Sequence, residues 1–182
     1  ILINLFSLNE KKNKIEINDF IFNDQMKIKD LKRVNLKFID KENQKNSANL
    51  YKKNGKFHLD GSILNVNNLI DRLLKNDKDQ SNIVNINNSF IINIDKILLD
   101  NEHDLKNFSG FVNIKNQQIE KAELSGNFSN KEKFKFTINT NKNEKITTLY
   151  ADKAEPLVRR YKFIKGFDEG SIDFYSSKKF GK

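Results

Sequence analysis

The chain has 182 residues, enough for one domain, with no cysteine, a single proline and a formal net charge of +9. The missing thiols exclude disulfides, thiolate catalysis and cysteine metal sites. Charged residues make up 31% and hydrophobic ones 37%, which is polar for a closed globule but suits strands with one wet face, and the 15 phenylalanines argue against a disordered chain.

From the N-terminus, Ile1 to Leu8 is an apolar run far shorter than the ~20 residues that span a bilayer. The chain starts at Ile1, not Met, and reads as a fragment of a longer protein. Ile15 and Ile17 share one face of a strand, and Phe20 and Phe22 continue it after a phase slip at Asp19 that predicts a bulge. Val34, Leu36 and Phe38 form the next alternating set. Leu50 leads into Gly55, after which Phe57, Leu59 and Ile63 fall on one face around Gly61. Val66, Leu69, Ile70, Leu73 and Leu74 then switch to helical spacing and predict a short amphipathic helix. A polar loop follows, Asn76 to Asn82.

The second half alternates more cleanly. Ile92 and Ile94 precede a short apolar run, Ile97 to Leu99, and Val112 and Ile114 follow Gly110. Ala122, Leu124, Gly126 and Phe128 make one strand; Phe134, Phe136 and Ile138 make another; Ile146 and Tyr150 close the set. Polar turns at Asn116-Gln117, Asn130-Lys131 and Asn141 to Asn143 separate them, which predicts an antiparallel meander. With one Pro and 7 Gly, its turns rely on Asn, Asp and Lys.

Near the C-terminus, Asp152 and Glu155 stand at capping-box spacing, ahead of an apolar stripe of Ala154, Leu157, Val158 and Tyr161. Pro156 fits a first helical turn. Gly166 and Gly170 bracket a turn, and Ile172 and Phe174 restart strand alternation. The predicted fold is mainly β: a long curved antiparallel sheet, open as a groove, with two short amphipathic helices.

Each strand presents one apolar face, and two short helices cover only part of a sheet of about eight or more strands. At ~25 cal/mol per Å² and ~150–250 Å² per aromatic, each phenylalanine left facing water forgoes several kcal/mol. A sheet curled on itself, or a greasy ligand, has to cover the rest.

The chemistry-bearing residues are sparse. His58 is out of phase with Phe57 and Leu59 and so belongs to the polar face. His103 lies in Asn101 to Asp104, which reads as a surface loop; a metal site of Glu102, His103 and Asp104 asks adjacent residues for geometry they rarely provide. Asp152 and Glu155 are explained by the helix cap and Asp168 and Glu169 by the turn, so neither pair is read as glycosidase carboxylates. No nucleophile triad, phosphate-binding loop or dinucleotide fingerprint is present, so the chain is not read as an enzyme and no cofactor or metal is expected. The positive charge suggests nucleic acid or anionic headgroups. Lysines scattered over strands and turns, amid heavy use of Lys, Asn and Ile, point instead to compositional bias. Phe134 and Phe136 alternate with Lys133 and Lys135, so rings and charges take opposite faces, which argues against a base-stacking platform and for no nucleic acid. Arg159, Arg160, Lys162 and Lys165 form a basic cluster near the end of the second helix, favourable to its dipole and able to meet an anionic headgroup.

The run from Ala151 to Phe174 resembles AsmA-like proteins of the YhdP type, where a strand leads into an Asp-capped helix, a turn with paired glycines and a strand; Glu169 replaces one of the two glycines here. Phe57 to Leu74 is similar to that family's strand-glycine-strand-helix segment, and the stretch between the two resembles its central strands, with Leu124 to Gly126 as the local motif. The likeness covers roughly Phe57 to Phe174. It implies that residues 1–182 are one segment of a longer β-groove, flanked by neighbouring segments of the same protein. It further implies a periplasmic protein of the bacterial envelope, anchored to the inner membrane through a segment outside this chain. The implied function is phospholipid transport towards the outer membrane, acyl chains lying in the groove and headgroups at its wet rim. Val112, Ile114, Leu124, Phe128, Phe134, Phe136, Ile138 and Ile172 are the expected groove residues, with Arg159, Arg160, Lys162 and Lys165 towards headgroups. The alternatives are a structural or adhesive β-domain that binds a protein partner, and a basic nucleic-acid-binding module.

Overall fold

The computed structural model describes residues 1–24, 28–67, 87–116, 118–129, 131–161 and 169–180. They form one sheet of eleven strands in chain order: β1 (Leu2–Glu10), β2 (Asn13–Phe22), β3 (Ile28–Ile39), β4 (Lys45–Lys53), β5 (Lys56–Asn65), β6 (Asn88–Leu98), β7 (Asp104–Lys115), β8 (Gln118–Asn127), β9 (Lys133–Thr140), β10 (Glu144–Ala151) and β11 (Ile172–Lys179). A single short helix, α1 (Glu155–Tyr161), is described. Of the two predicted helices this is the second; the first, predicted over Val66 to Leu74, lies from residue 68 onward outside the described residues. The protein is mainly β, and the sheet is open, with β1 and β11 at its two edges.

The hairpins form where the turn chemistry predicts. Asn54 and Gly55 both take positive φ (50° and 74°) between β4 and β5, as a tight two-residue hairpin turn requires. Lys11, Asn43, Asn116 and Lys131 turn the chain in the left-handed region at other hairpins. The Asn141 side chain accepts the amides of Asn143 and Glu144.

The expectation of an all-antiparallel sheet needs one correction. β5 and β6 run parallel, pairing Phe57 with Phe90, Leu59 with Ile92 and Gly61 with Ile94. Parallel neighbours need a crossover of a dozen residues or more, and the chain between Asn65 and Asn88 supplies it. Two local details also differ. Asp19 takes φ +46°, but the register shifts slightly later, between Ile21 and Phe22. A second shift, between Ser47 and Ala48, puts Ile63 opposite Ser47 and away from the Leu59 row.

The core sits at one end of the central strands. Ala48, Ile94, Ile97, Leu99, Leu105, Phe128 and Ala151 are buried together, with Phe108, Phe134, Leu157 and Ile172 packed against them. The turns after β6 and β8 and the segment leading into α1 converge there. Phe128 donates its amide to Glu132, and Asp152 and Lys133 exchange backbone and side-chain hydrogen bonds.

Candidate functional site

Alternation along each strand, combined with register across strands, sorts the side chains of the sheet into two faces. One row crosses all eleven strands: Phe6, Ile17, Val34, Leu50, Leu59, Ile92, Gly110, Leu124, Phe136, Leu149 and Phe174 each stand opposite the next. No member is polar. The adjacent row, one residue along each strand and on the other face, reads Ser7, Glu16, Asn35, Asn49, Asp60, Asn93, Ser109, Ser125, Lys135, Tyr150 and Asp173. No member of that row is aliphatic. The side chains of the apolar row are half-buried through the middle strands, and Phe6 and Phe174 at the ends are exposed. In a sandwich or filled barrel such residues would be fully buried.

Six of the eight expected groove residues are only partly buried, Val112, Ile114, Leu124, Phe134, Phe136 and Ile172, and of these Phe134 and Ile172 also pack against the core. Leu124 and Phe136 are direct cross-strand partners, and Phe134 and Ile172 both pair with Ala151, from either side. Val112 joins Ala122 and Ile138 in the next row, and Ile114 opposes Ile119 at the sheet's far end. Ile138 is buried on that face. Phe128 is only 3% exposed and meets Phe134 edge-on at 6.5 Å between ring centroids, so it belongs to the core.

Where α1 approaches the sheet, a cavity of about 400 Å³ opens between them, lined by Phe136, Thr147, Leu149, Leu157, Val158, Ile172 and Phe174. Thr147 is its one polar lining residue. Leu157 and Val158 of the predicted stripe thus face the sheet without sealing onto it.

The anchoring of α1 differs from the predicted capping box. Ala154, not Asp152, precedes the helix, and its carbonyl accepts the amides of Leu157 and Val158. The Asp152 carboxylate instead accepts the Lys133 amide at 2.6 Å and the Tyr150 hydroxyl at 2.5 Å. The Lys133 amide and the Tyr150 hydroxyl hold its carboxyl below the usual range. Glu155 turns to His103 and Lys153, each at 3.4 Å.

His103 was expected on a surface loop and is buried. Its Nδ1 lies 2.9 Å from both Asp100 carboxylate oxygens, and its Nε2 faces Glu155. The turn after β6 is thereby fixed to the first turn of α1. Burial raises the Asp100 carboxyl, but the Glu102 amide and the His103 ring and amide outweigh it, leaving a net lowering. Among the described residues no group of three or more His, Cys, Asp or Glu side chains could hold a metal ion.

The polar face carries its own cluster. Arg33 lies over the Tyr51 ring at 5.8 Å, Tyr51 stacks on His58 at 5.3 Å, and the Tyr51 hydroxyl donates to Asp60 at 2.6 Å. That hydrogen bond pushes the phenol up. His58 is on the polar face, as its phase predicts. Arg159 and Arg160 fall in α1, but their side chains lie outside the described residues, as do Lys162 and Lys165 altogether.

Sequence reasoning missed one polar network. The Asp40 carboxylate accepts from the Glu42 and Gln44 amides and from the Asn46 and Asn65 side chains, and buried Asn46 accepts the Asn65 amide. Asp40 four residues before Gln44, at a hairpin, was the available signal. No helix among the described residues is long and apolar enough to cross a membrane. No protein-family model, curated protein or solved structure matches this chain.

Proposed function

We propose that residues 1–182 are one segment of an AsmA-like envelope protein, and that the apolar face of the sheet carries phospholipid between the inner and outer membranes. The observation that supports this most is the eleven-member apolar row lying beside an equally long polar one. Acyl chains lie along Leu124, Phe136, Leu149 and their neighbours, with the sheet curving round them as a groove. Headgroups stay at the wet rim, where Arg159, Arg160, Lys162 and Lys165 supply positive charge. No bond is made or broken, so no acid, base or nucleophile is needed. The protein is periplasmic and held at the inner membrane by a segment outside this chain, and neighbouring segments extend the groove.

The test is lipid carried through purification. The chain expressed in a bacterial periplasm and extracted gently should hold phospholipid detectable by mass spectrometry. Phe136→Asp, on the face and at the cavity, should reduce that lipid at least tenfold, whereas Lys135→Asp, on the other face, should leave it unchanged. Lipid-free wild-type protein, or equal loss from both variants, would overturn the assignment. A partner protein recovered instead would favour the structural β-domain.

A further inference from the structure

We propose, resting on the reading of the apolar face as a carrier of hydrocarbon, that the cavity beside α1 holds a single acyl chain whose anionic end is bound by Lys145 and Lys178. The site then selects a fatty acid, or an anionic phospholipid held by one of its chains, over an uncharged amphiphile. Three observations converge on it.

The first is a gradient of polarity along two neighbouring strands. β10 and β11 pair without a register shift from Glu144 to Ala151, so residues two apart stay on one face. On the cavity side β10 reads Ala151, Leu149, Thr147 and Lys145. Opposite them, in the same order, β11 presents Ile172, Phe174, Ser176 and Lys178. Two apolar pairs are followed by a hydroxyl pair and then by a lysine pair. A charged amphiphile has the same order from tail to head.

The second is size. The end of the cavity nearest the core is closed, because Ala151 is fully buried and Leu157 and Ile172 pack against the core. From Ile172 to Lys178 the strand advances six residues, ~20 Å. One acyl chain of a bilayer spans ~15 Å, half of the ~30 Å hydrocarbon layer. A tail that ends at Ile172 therefore brings its head to the lysines. Volume limits the number of tails. A cavity of ~150 Å³ takes the six carbons of benzene, so one of about 400 Å³ takes about sixteen, one chain and not two.

The third is unspent charge. Lys145 stands directly opposite Lys178 on one side and Thr140 on the other. Among the described residues neither lysine has an ion-pair partner. The nearby carboxylates are engaged elsewhere. Glu144, on the other face, accepts the Ser177 hydroxyl at 2.9 Å, and Glu120, which shares a hollow with Thr140, accepts the Asn113 amide at 3.1 Å. The Thr140 hydroxyl is shielded from water and makes no hydrogen bond among the described residues. Two like charges side by side are unfavourable. An anion between them replaces that repulsion with two charge-assisted hydrogen bonds, and its spare lone pairs can satisfy Thr140.

The test uses the full chain, with palmitate and hexadecanol, equal in chain length and different in charge, each displacing a fluorescent fatty acid. Palmitate should bind one per chain and about tenfold tighter than hexadecanol. Lys145→Gln combined with Lys178→Gln should weaken palmitate about tenfold and leave hexadecanol unchanged. Val158→Phe adds four carbons to the cavity wall and should shorten the preferred acid by about four carbons. Equal binding of acid and alcohol, more than one palmitate per chain, or indifference to the lysine pair would overturn the proposal. Should Val158→Phe fail to fold, the lysine variant decides alone. Vesicles separate the two sources of the anion. Capture by phosphatidylglycerol vesicles, absent with phosphatidylcholine and lost in the lysine variant, assigns a phospholipid; palmitate binding without such capture assigns the free acid. Phospholipid carried through purification by wild type and lysine variant alike, with no palmitate bound, would remove this site and leave the proposed function standing. Palmitate bound by a chain that purifies free of phospholipid would do the reverse.

Discussion

Gly110 stands directly opposite Leu124, and a Cβ placed on Gly110 would fall on the Glu123 carbonyl oxygen, with the Leu124 Cα 2.9 Å away. Its φ of +148° lies where side chains are rarely tolerated. The one gap in the apolar row is therefore enforced by the backbone of the neighbouring strand. Gly110→Ala should destabilise the protein by about 2–4 kcal/mol, read from urea unfolding. Gly55→Ala meets nothing within 4 Å and bears only the φ strain of its turn, so its loss should be smaller, about 1 kcal/mol.

Several ladders set lysine against lysine. Lys14 opposes Lys37, Lys53 opposes Lys56 and Lys145 opposes Lys178. Like charges directly opposite destabilise a sheet, and salt screens them. Thermal stability should therefore rise as sodium chloride increases from low to physiological concentration. Lys14 already has Glu16 at 3.0 Å, so Lys37→Glu should relieve its pair without removing a bridge. That variant should gain about 0.5 kcal/mol and show a flatter salt dependence in melting curves.

Three aspartates titrate low in the folded state: Asp152 through the Lys133 amide and Tyr150 hydroxyl, and Asp40 and Asp100 through hydrogen bonds that outweigh burial. A folded value below the unfolded one means the unfolded chain binds protons first on acidification. The stabilisation is complete above the ordinary aspartate value of ~3.9 and is lost as pH falls through the lower folded values. The melting temperature should hold level from these groups near neutrality and drop below about pH 4. Asp152→Asn should melt lower than wild type at pH 6 and show a shallower acid decline; an unchanged acid decline would refute the role given to that carboxylate.

The strands were readable because period-two alternation is local: Phe134, Phe136 and Ile138 share a face whatever lies beside them. The direction of β6 was not, since Phe90, Ile92 and Ile94 alternate identically in a parallel or an antiparallel ladder. Only the crossover between Asn65 and Asn88 decides between them. Asp152 looked like a cap because a carboxylate serves any orphan amide, and the Lys133 amide nineteen residues away claimed it first. His103 was misplaced for a related reason. Its burial comes from turns distant in sequence meeting at one end of the sheet, and no window around Asn101 to Asp104 contains Glu155. The apolar face was legible strand by strand. Its alignment into one row depends on turn lengths and register shifts that alternation does not encode.

Each position of that row comes from a different strand, and neighbouring strands are ~4.8 Å apart, so the row extends ~48 Å along the sheet. A hydrocarbon laid along it meets an aliphatic or aromatic side chain at every step except Gly110. It can slip from one rung to the next while exchanging nearly equal contacts. Under the proposed lipid function, a surface made this way would serve as a rail, where a single closed pocket would trap its guest.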